Sequence, residues 1–218
     1  MTGPSTIKPA IVPLGDTSVL VRFDSKLSEA ANQAAIALAA VLDQSHILGV
    51  QEVVPNLVSV LLRYDPTLTS YASLAGELRL ILFGLDKTGA PGRAWTIPIA
   101  FDGPDLGDVA QALGLSVPQF IAAHNRHPLR VLTTGFAPGF VYCGLHEPAL
   151  VLPRRPTVRP SVPAGSILFA AGQTAITATE MPTGWHLIGQ TSFKNFDQAI
   201  MPPTHLRAGD LIHFEPLP

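Results

Sequence analysis

Along the first third of the chain, apolar positions fall into two alternating kinds of pattern. Leu27, Ala31, Ala34, Leu38, Val41 and Leu42 recur at three- and four-residue steps, with Glu29, Asn32 and Gln33 on the other sides. That spacing predicts an amphipathic helix over 27–42. Leu74, Ala75, Leu78, Ile81 and Leu82 repeat the pattern before Gly84, a helix stop. Between and before these helices, 17–23 and 57–64 are β-branched and apolar, the second ending at the turn pair Asp65-Pro66; both predict strands. The expectation is a small α+β domain over 1–90, its two helices covering one face of an antiparallel sheet.

The polar, Gly- and Pro-rich run 87–93 marks a boundary near residue 90. Beyond it, 95–101 alternates like a strand. Two short helices follow, one carrying Leu106, Val109, Ala110 and Leu113, the other Val117, Phe120 and Ile121. Ser116 followed by Gln119 is a capping-box pattern at the start of the second. From 129 onward the chain consists of short apolar segments (131–134, 166–170, 175–178, 186–189 and 211–214) separated by Gly or Pro clusters. Such spacing predicts a closed or nearly closed β-barrel over 91–218.

Composition narrows the function. Of 218 residues, 47% are hydrophobic and 14% charged, which excludes disorder for most of the chain. Lys and Arg total 14 against 16 Asp and Glu, so no basic excess is present to neutralise a phosphate backbone, and no nucleic-acid partner is expected. The apolar stretch ending at Leu42 falls far short of the roughly 18 residues of a membrane span. The amino terminus has no continuous apolar core of the secretory kind, and the single cysteine, Cys143, cannot form an internal disulfide. Both point to the cytoplasm.

The standard catalytic motifs are missing. No Gly-Lys pair occurs, which removes the P-loop, and the nucleotide-binding Gly-x-Gly-x-x-Gly, Gly-x-Ser-x-Gly and His-Glu-x-x-His patterns are absent as well. His124 and His127 have a spacing that sets two imidazoles on one helix face, but no further ligand is suitably spaced, so no metal is assigned and surface or capping histidines are expected. Cys143 reads as a buried, inert thiol, and His146-Glu147 as part of an exposed loop before Pro148.

One constellation differs in kind. Gly135-Phe136-Ala137-Pro138-Gly139-Phe140, Pro163-Ala-Gly-Ser166, Ala171-Gly172-Gln173-Thr174 and Pro182-Thr-Gly-Trp185 put four tight backbone features within about fifty residues. Glycine lets a backbone approach a ligand closely, and Phe and Trp wall a pocket, although barrel corners alone also attract Gly and Pro.

At these residues the chain resembles the family containing the B subunit of 5-oxoprolinase, allophanate hydrolase subunit 1 and the sporulation kinase inhibitor KipI. The carrying motifs are Gly135 to Phe140, Pro153-Arg154, Val162 to Ser166, Gly172-Gln173-Thr174 and Pro182 to Thr191, in that order. Departures from the family pattern fall at Ala171, Ala175, Thr177, Thr183 and Gln190, the last standing where the family has Arg. The resemblance implies an α+β first domain and a mainly-β, cyclophilin-like barrel as the second.

It also implies a sister subunit, of the type of the 5-oxoprolinase C subunit or allophanate hydrolase subunit 2, with ATP shared across the complex and a small-molecule substrate. The first reading is therefore the B subunit of an ATP-dependent amide hydrolase opening 5-oxoproline to glutamate. The alternatives are an allophanate- or urea carboxylase-like carboxyltransferase half, and an inhibitor of a sensor histidine kinase. The expected binding residues are Gly135, Phe136, Pro138, Gly139, Phe140, Gly172, Gln173, Thr174, Glu180 and Trp185, with the glycine-bearing bends converging on one walled cavity.

Overall fold

The computed structural model describes residues 9–86 and 92–217, so most of the linker expected over 87–93 and the boundary near 90 lie outside the described residues. Internal packing divides the chain into two compact units, Met1–Pro91 and Gly92–Pro218.

In the first unit the elements are β1 (Ala10–Pro13), β2 (Ser18–Arg22), α1 (Glu29–Gln44), β3 (Val50–Pro55), β4 (Ser59–Tyr64) and α2 (Tyr71–Phe83). Ser28 and Ser70 cap the two helices, their hydroxyls accepting from Ala31 N and Ser73 N. The strands form an antiparallel sheet in the order β1-β2-β4-β3. Val19, Val21, Val60 and Leu62 alternate onto one face, and Ala31, Ala35, Leu38, Leu74 and Leu78 of the helices share their core.

The second unit comprises β5 (Ala94–Ile99), α3 (Leu106–Ala112), α4 (Val117–His124), β6 (Leu129–Thr134), β7 (Val141–Gly144), a 3-10 turn (Pro148–Leu150), β8 (Arg159–Val162), β9 (Ser166–Ala170), β10 (Gln173–Ile176), β11 (Met181–Thr183), β12 (His186–Gln190) and β13 (Leu211–Pro216). Seven strands make one mixed sheet ordered β12-β9-β10-β7-β6-β13-β5, and β8 and β11 form a separate ribbon. Among the described residues, only the β13–β5 pair is parallel.

This sheet curls. All seven of its strands, with α3 and α4, place side chains in a single core that includes Ile97, Phe120, Val141, Phe169, Ile188 and Phe214. The two edges meet where Ala100, just beyond β5, bridges Gln190 of β12 through N–H···O bonds of 2.9 Å in both directions. Two glycines permit this approach: a Cβ on Gly189 would stand 2.3 Å from Ala100 O, and one on Gly103 2.3 Å from Leu187 O. Opposite the inner core, Leu168 and Ala170 of β9 and Ala175 of β10 form a second apolar layer with Phe140, Met181 of β11 and Trp185. Among the described residues no helix is long and apolar enough to cross a membrane.

The edge contact gives a test. Gly189→Ala forces two backbones apart and is expected to lower stability by roughly 1–3 kcal/mol. Gly107→Ala on α3, where a Cβ meets nothing within 4 Å, is expected to be neutral or stabilising by up to about 1 kcal/mol. Urea denaturation of the two variants beside the wild type measures the contrast.

Candidate functional site

Strand register decides which of the expected residues meet. β7 and β10 are antiparallel, with Gln173 opposite Gly144 and Ile176 opposite Val141. The turn Gly135 to Phe140 precedes Val141, whereas the Ala171-Gly172 turn precedes Gln173, so the two lie at opposite ends of β7. Four residues of strand separate them by about 10 Å or more. The expectation of one cavity formed by all the glycine-bearing bends is therefore incorrect.

The Gly135–Phe140 turn also uses its own N–H groups: Gly135 N donates to Phe140 O and Phe140 N to Ala137 O. Gly139, at φ +68, packs where a Cβ would stand 2.6 Å from Phe196 Cβ, and its carbonyl accepts from Asn195 Nδ2 at 2.9 Å. Pro138 is exposed, as is Phe136, whose φ of +79 is a strained conformation for a non-glycine residue.

A different assembly emerges on the outer face of the sheet. Rings follow one another from Phe136 to Phe140 (5.9 Å between centroids), Phe140 to Tyr142 (4.7 Å) and Tyr142 to Trp185 (5.9 Å), and the Arg154 guanidinium lies 5.8 Å over the Trp185 ring. Gln173 joins this face because it alternates with Thr174 along β10 and shares its side with Ala175. Across the strands it pairs with Ala170, and Trp185, one residue before His186, extends the same row. The small Gly144 and Ala170 flank Gln173 in that row. Among the described residues no hydrogen bond or ion pair engages the Arg154 guanidinium, the Gln173 amide, the Tyr142 hydroxyl or the Trp185 indole N–H. Burial raises the Tyr142 pKa, opposed by the Arg154 charge; the phenol stays protonated and able to donate.

Neighbouring arginines hold this assembly in place. Asp105, at the start of α3, is buried and accepts from Leu187 N (2.8 Å), from Arg159 Nη2 on both oxygens (2.8 and 2.9 Å) and from Arg155. Burial on its own raises the Asp105 pKa, but the Leu187 N–H and the two guanidiniums outweigh it and hold the carboxyl below its ordinary value. Arg155 N also donates to Gly184 O. Arg155 and Arg159 thus pin the loop that presents Arg154 beside Trp185.

Thr174 points the other way, into the inner core. Its Oγ1 lies 2.8 Å from Nε2 of both His124 and His146. His124 Nδ1 lies 2.7 Å from Asn125 Oδ1, and the His124 ring is packed by Phe101, Phe120 and Phe214. His124, in the last turn of α4, is fully buried, where a surface or capping histidine is expected, and His146 is partly buried, where an exposed loop is expected. His127 does lie exposed, near Glu147 with Arg126. Desolvation lowers His124 to about 4, and desolvation together with the nearby His124 lowers His146 to about 3. Burial pushes the Cys143 thiol up, which keeps it protonated.

Glu180 is exposed and accepts from Ser161 Oγ at 2.6 Å, away from this histidine pair. Gln190 donates to Asp102 at 2.6 Å, at the opposite end of β12 from Trp185. Among the described residues, no three His, Cys, Asp or Glu side chains come together as a metal site. Sequence reasoning misses Tyr142, Arg155, Arg159, Asp105 and the pairing of the two histidines. Arg154 is marked by the Pro153-Arg154 motif and Arg155 is not, but the motif assigns Arg154 no role.

Comparison with known proteins agrees with this architecture. Residues 9–206 match the family described as carboxyltransferase domain, subdomain C and D. The chain belongs to that family. It is 31% identical to the B subunit of 5-oxoprolinase from Bacillus subtilis (strain 168), over 96% of this chain and 93% of that one. The crystal structure of TTHA0988 superposes with a TM-score of 0.80 at 38% identity, over 92% of this chain and 40% of that chain. Kluyveromyces lactis urea carboxylase shares the fold, with a TM-score of 0.73 at 15% identity over all of this chain and 23% of that one.

Two stability outcomes follow. Asp105→Asn leaves two guanidiniums without their carboxylate and is expected to cost roughly 3–5 kcal/mol, read as a lower denaturation midpoint. His124 titrates near 4 when folded but near 6.5 when unfolded, so the unfolded chain binds more protons between those values. Stability is expected to fall as pH drops from about 6.5 toward 4, by up to about 1.4 kcal/mol per unit from this ring. His124→Gln should flatten that slope in thermal melts between pH 7.5 and 5.

Proposed function

We propose that this chain is the B subunit of an ATP-dependent 5-oxoprolinase-type amide hydrolase, acting on 5-oxoproline with a sister of the C-subunit type. The observation that carries the reading is the near full-length similarity to the Bacillus subtilis 5-oxoprolinase B subunit. The outer-face site supports it. A small cyclic amide bearing a carboxylate suits a free guanidinium, with an indole and a phenol to cover an apolar ring and an amide to bond its polar edge.

In this reading the first unit is the α+β domain of residues 1–90. The second, 91–218, is a cyclophilin-like barrel whose likeness concerns fold alone. ATP is assigned to the assembled complex. The two glycine-bearing turns lie at opposite ends of β7 and form no common phosphate cradle, so no step through the nucleotide is drawn on this chain. That the chain spans 40% of TTHA0988 supports a larger assembly, since there the fold is one part of a longer polypeptide. The reaction is placed in the cytoplasm.

Purification with the sister protein and any third component, followed by measurement of 5-oxoproline-dependent ATP hydrolysis, tests the reading. Activity is expected from the assembled mixture and not from this chain alone; an assembled complex without it would refute the assignment. Within that complex Arg154→Gln is expected to raise KM for 5-oxoproline roughly ten- to hundredfold, the loss of a charge-assisted carboxylate contact. Its thermal stability should stay close to wild type, in contrast to Asp105→Asn.

A further inference from the structure

The hydrogen bonds that meet at Thr174 run in one direction. Asn125 turns Oδ1 toward His124 Nδ1 and leaves its own Nδ2 buried without a partner; with Oδ1, which only accepts, as the partner, Nδ1 carries a proton. A neutral imidazole has one N–H, which leaves His124 Nε2 bare. The Thr174 hydroxyl, 2.8 Å away, donates to it. A hydroxyl has a single proton and is now an acceptor only, so its second partner, His146 Nε2 at 2.8 Å, has to be an N–H. His146 is thereby fixed with Nε2 protonated and Nδ1 as a lone pair.

That lone pair has no use inside the chain. Nδ1 makes no hydrogen bond among the described residues, and the residue is half-buried, unlike the fully buried His124. Its place in the fold is informative. His146 N donates to Gly172 O at 2.8 Å, which sets the ring beside the turn leading into Gln173, at the end of the sheet where Trp185 also lies.

Burial and the adjacent His124 keep His146 unprotonated well below neutral pH, and an imidazolium would offer a donor at Nδ1 instead of an acceptor. The other ionisable groups nearby do not alter this. Cys143, opposite Thr174, remains a thiol, and Glu147 is engaged by Arg126 and His127 at 3.6 and 3.8 Å.

We propose that His146 Nδ1 is a specificity-determining acceptor for an N–H of the ligand, and that Asn125, His124 and Thr174 are positioning residues that hold the ring in that form. The ligand half of the inference rests on the 5-oxoprolinase reading above. A 5-oxoproline molecule carries a ring N–H of the kind that this acceptor would take. No proton is transferred in this role. The imidazole selects for a hydrogen that the amide keeps.

Two measurements decide it. Long-range ¹H–¹⁵N spectra of the histidine rings in the full chain are expected to show His146 with Nε2 protonated and Nδ1 bare at pH 7. Thr174→Ser should preserve that pattern, and Thr174→Val should lose it. His124→Gln serves if the valine variant does not fold. A protonated Nδ1, as when Asn125 presents Nδ2 and the chain of bonds runs in reverse, overturns the positioning claim, and so does a spectrum insensitive to the Val substitution.

In the assembled complex, His146→Phe is expected to raise KM for 5-oxoproline roughly tenfold with kcat within about twofold, and to leave KM for the N-methylated analogue, or its Ki where it is not turned over, unchanged. Equal KM values for wild type and variant overturn the ligand role. A complex inactive on 5-oxoproline refutes the functional reading and this ligand with it. The spectra, which need no activity, decide the ring's form independently.

Discussion

Strands β7, β9 and β10 are covered on both faces, and this constraint shapes everything around them. A strand with one wet face can carry polar side chains there at little cost; one with none has to satisfy every polar side chain within the protein. Thr174 faces the inner core and would leave a hydroxyl unpaired in an apolar setting. His124 at the end of α4 and His146 beyond β7 supply its two partners. One hydroxyl therefore ties a helix and a strand extension to the middle of the sheet. The same bonds hold two imidazoles neutral where a charge would be costly. On the outer face Gln173, one residue away, has no such partner and stands beside aromatic rings and a free guanidinium.

The arginines of the Pro153-to-Arg159 loop divide structural from ligand-directed work. Arg155 and Arg159 converge on Asp105, which also accepts the Leu187 N–H, so a single carboxylate fastens the loop, α3 and β12 together. Net positive charge remains, since two guanidiniums face one carboxylate. Arg154 immediately precedes the anchored pair, its guanidinium 5.8 Å over the Trp185 ring and without an acid of its own among the described residues. A guanidinium held by a rigid loop over an aromatic face loses little freedom when a carboxylate arrives, which makes it a better recognition element than a free surface arginine.

Much of this is legible in the chain and some is not. The helices of both units and most of the strands announce themselves through periodicity, caps and Gly or Pro stops; Ser116 and Gln119 form the capping box their spacing predicts. β7 is not legible. Val141–Gly144 is four residues long and covered on both sides, so it has no polar alternation, and its flanking glycines read as turn. Missing β7 has a consequence: without it the Gly135–Phe140 and Gly172 turns look like neighbours, and with it they are at opposite ends of one strand. β1 and β3 escape notice for the weaker reason that edge strands pack only partly and carry mixed side chains.

The motif residues are better guides to position than to role. Gln173 and Thr174 are adjacent in sequence and fall within one motif, but a strand sends neighbours to opposite faces. They serve two different environments, an outer face with free polar groups and an inner one where the Thr174 hydroxyl has two imidazole partners. His146 joins the two. Its Nε2 belongs to the inner network, its Nδ1 has no partner within the described residues, and its backbone N–H bonds the turn before Gln173. A change in the half-buried Asn125 or the buried His124 therefore acts on His146 from a distance, because it changes which ring nitrogen of His146 holds the proton. Selectivity for an N–H over an N-alkyl ligand, on this geometry, is set from inside the core.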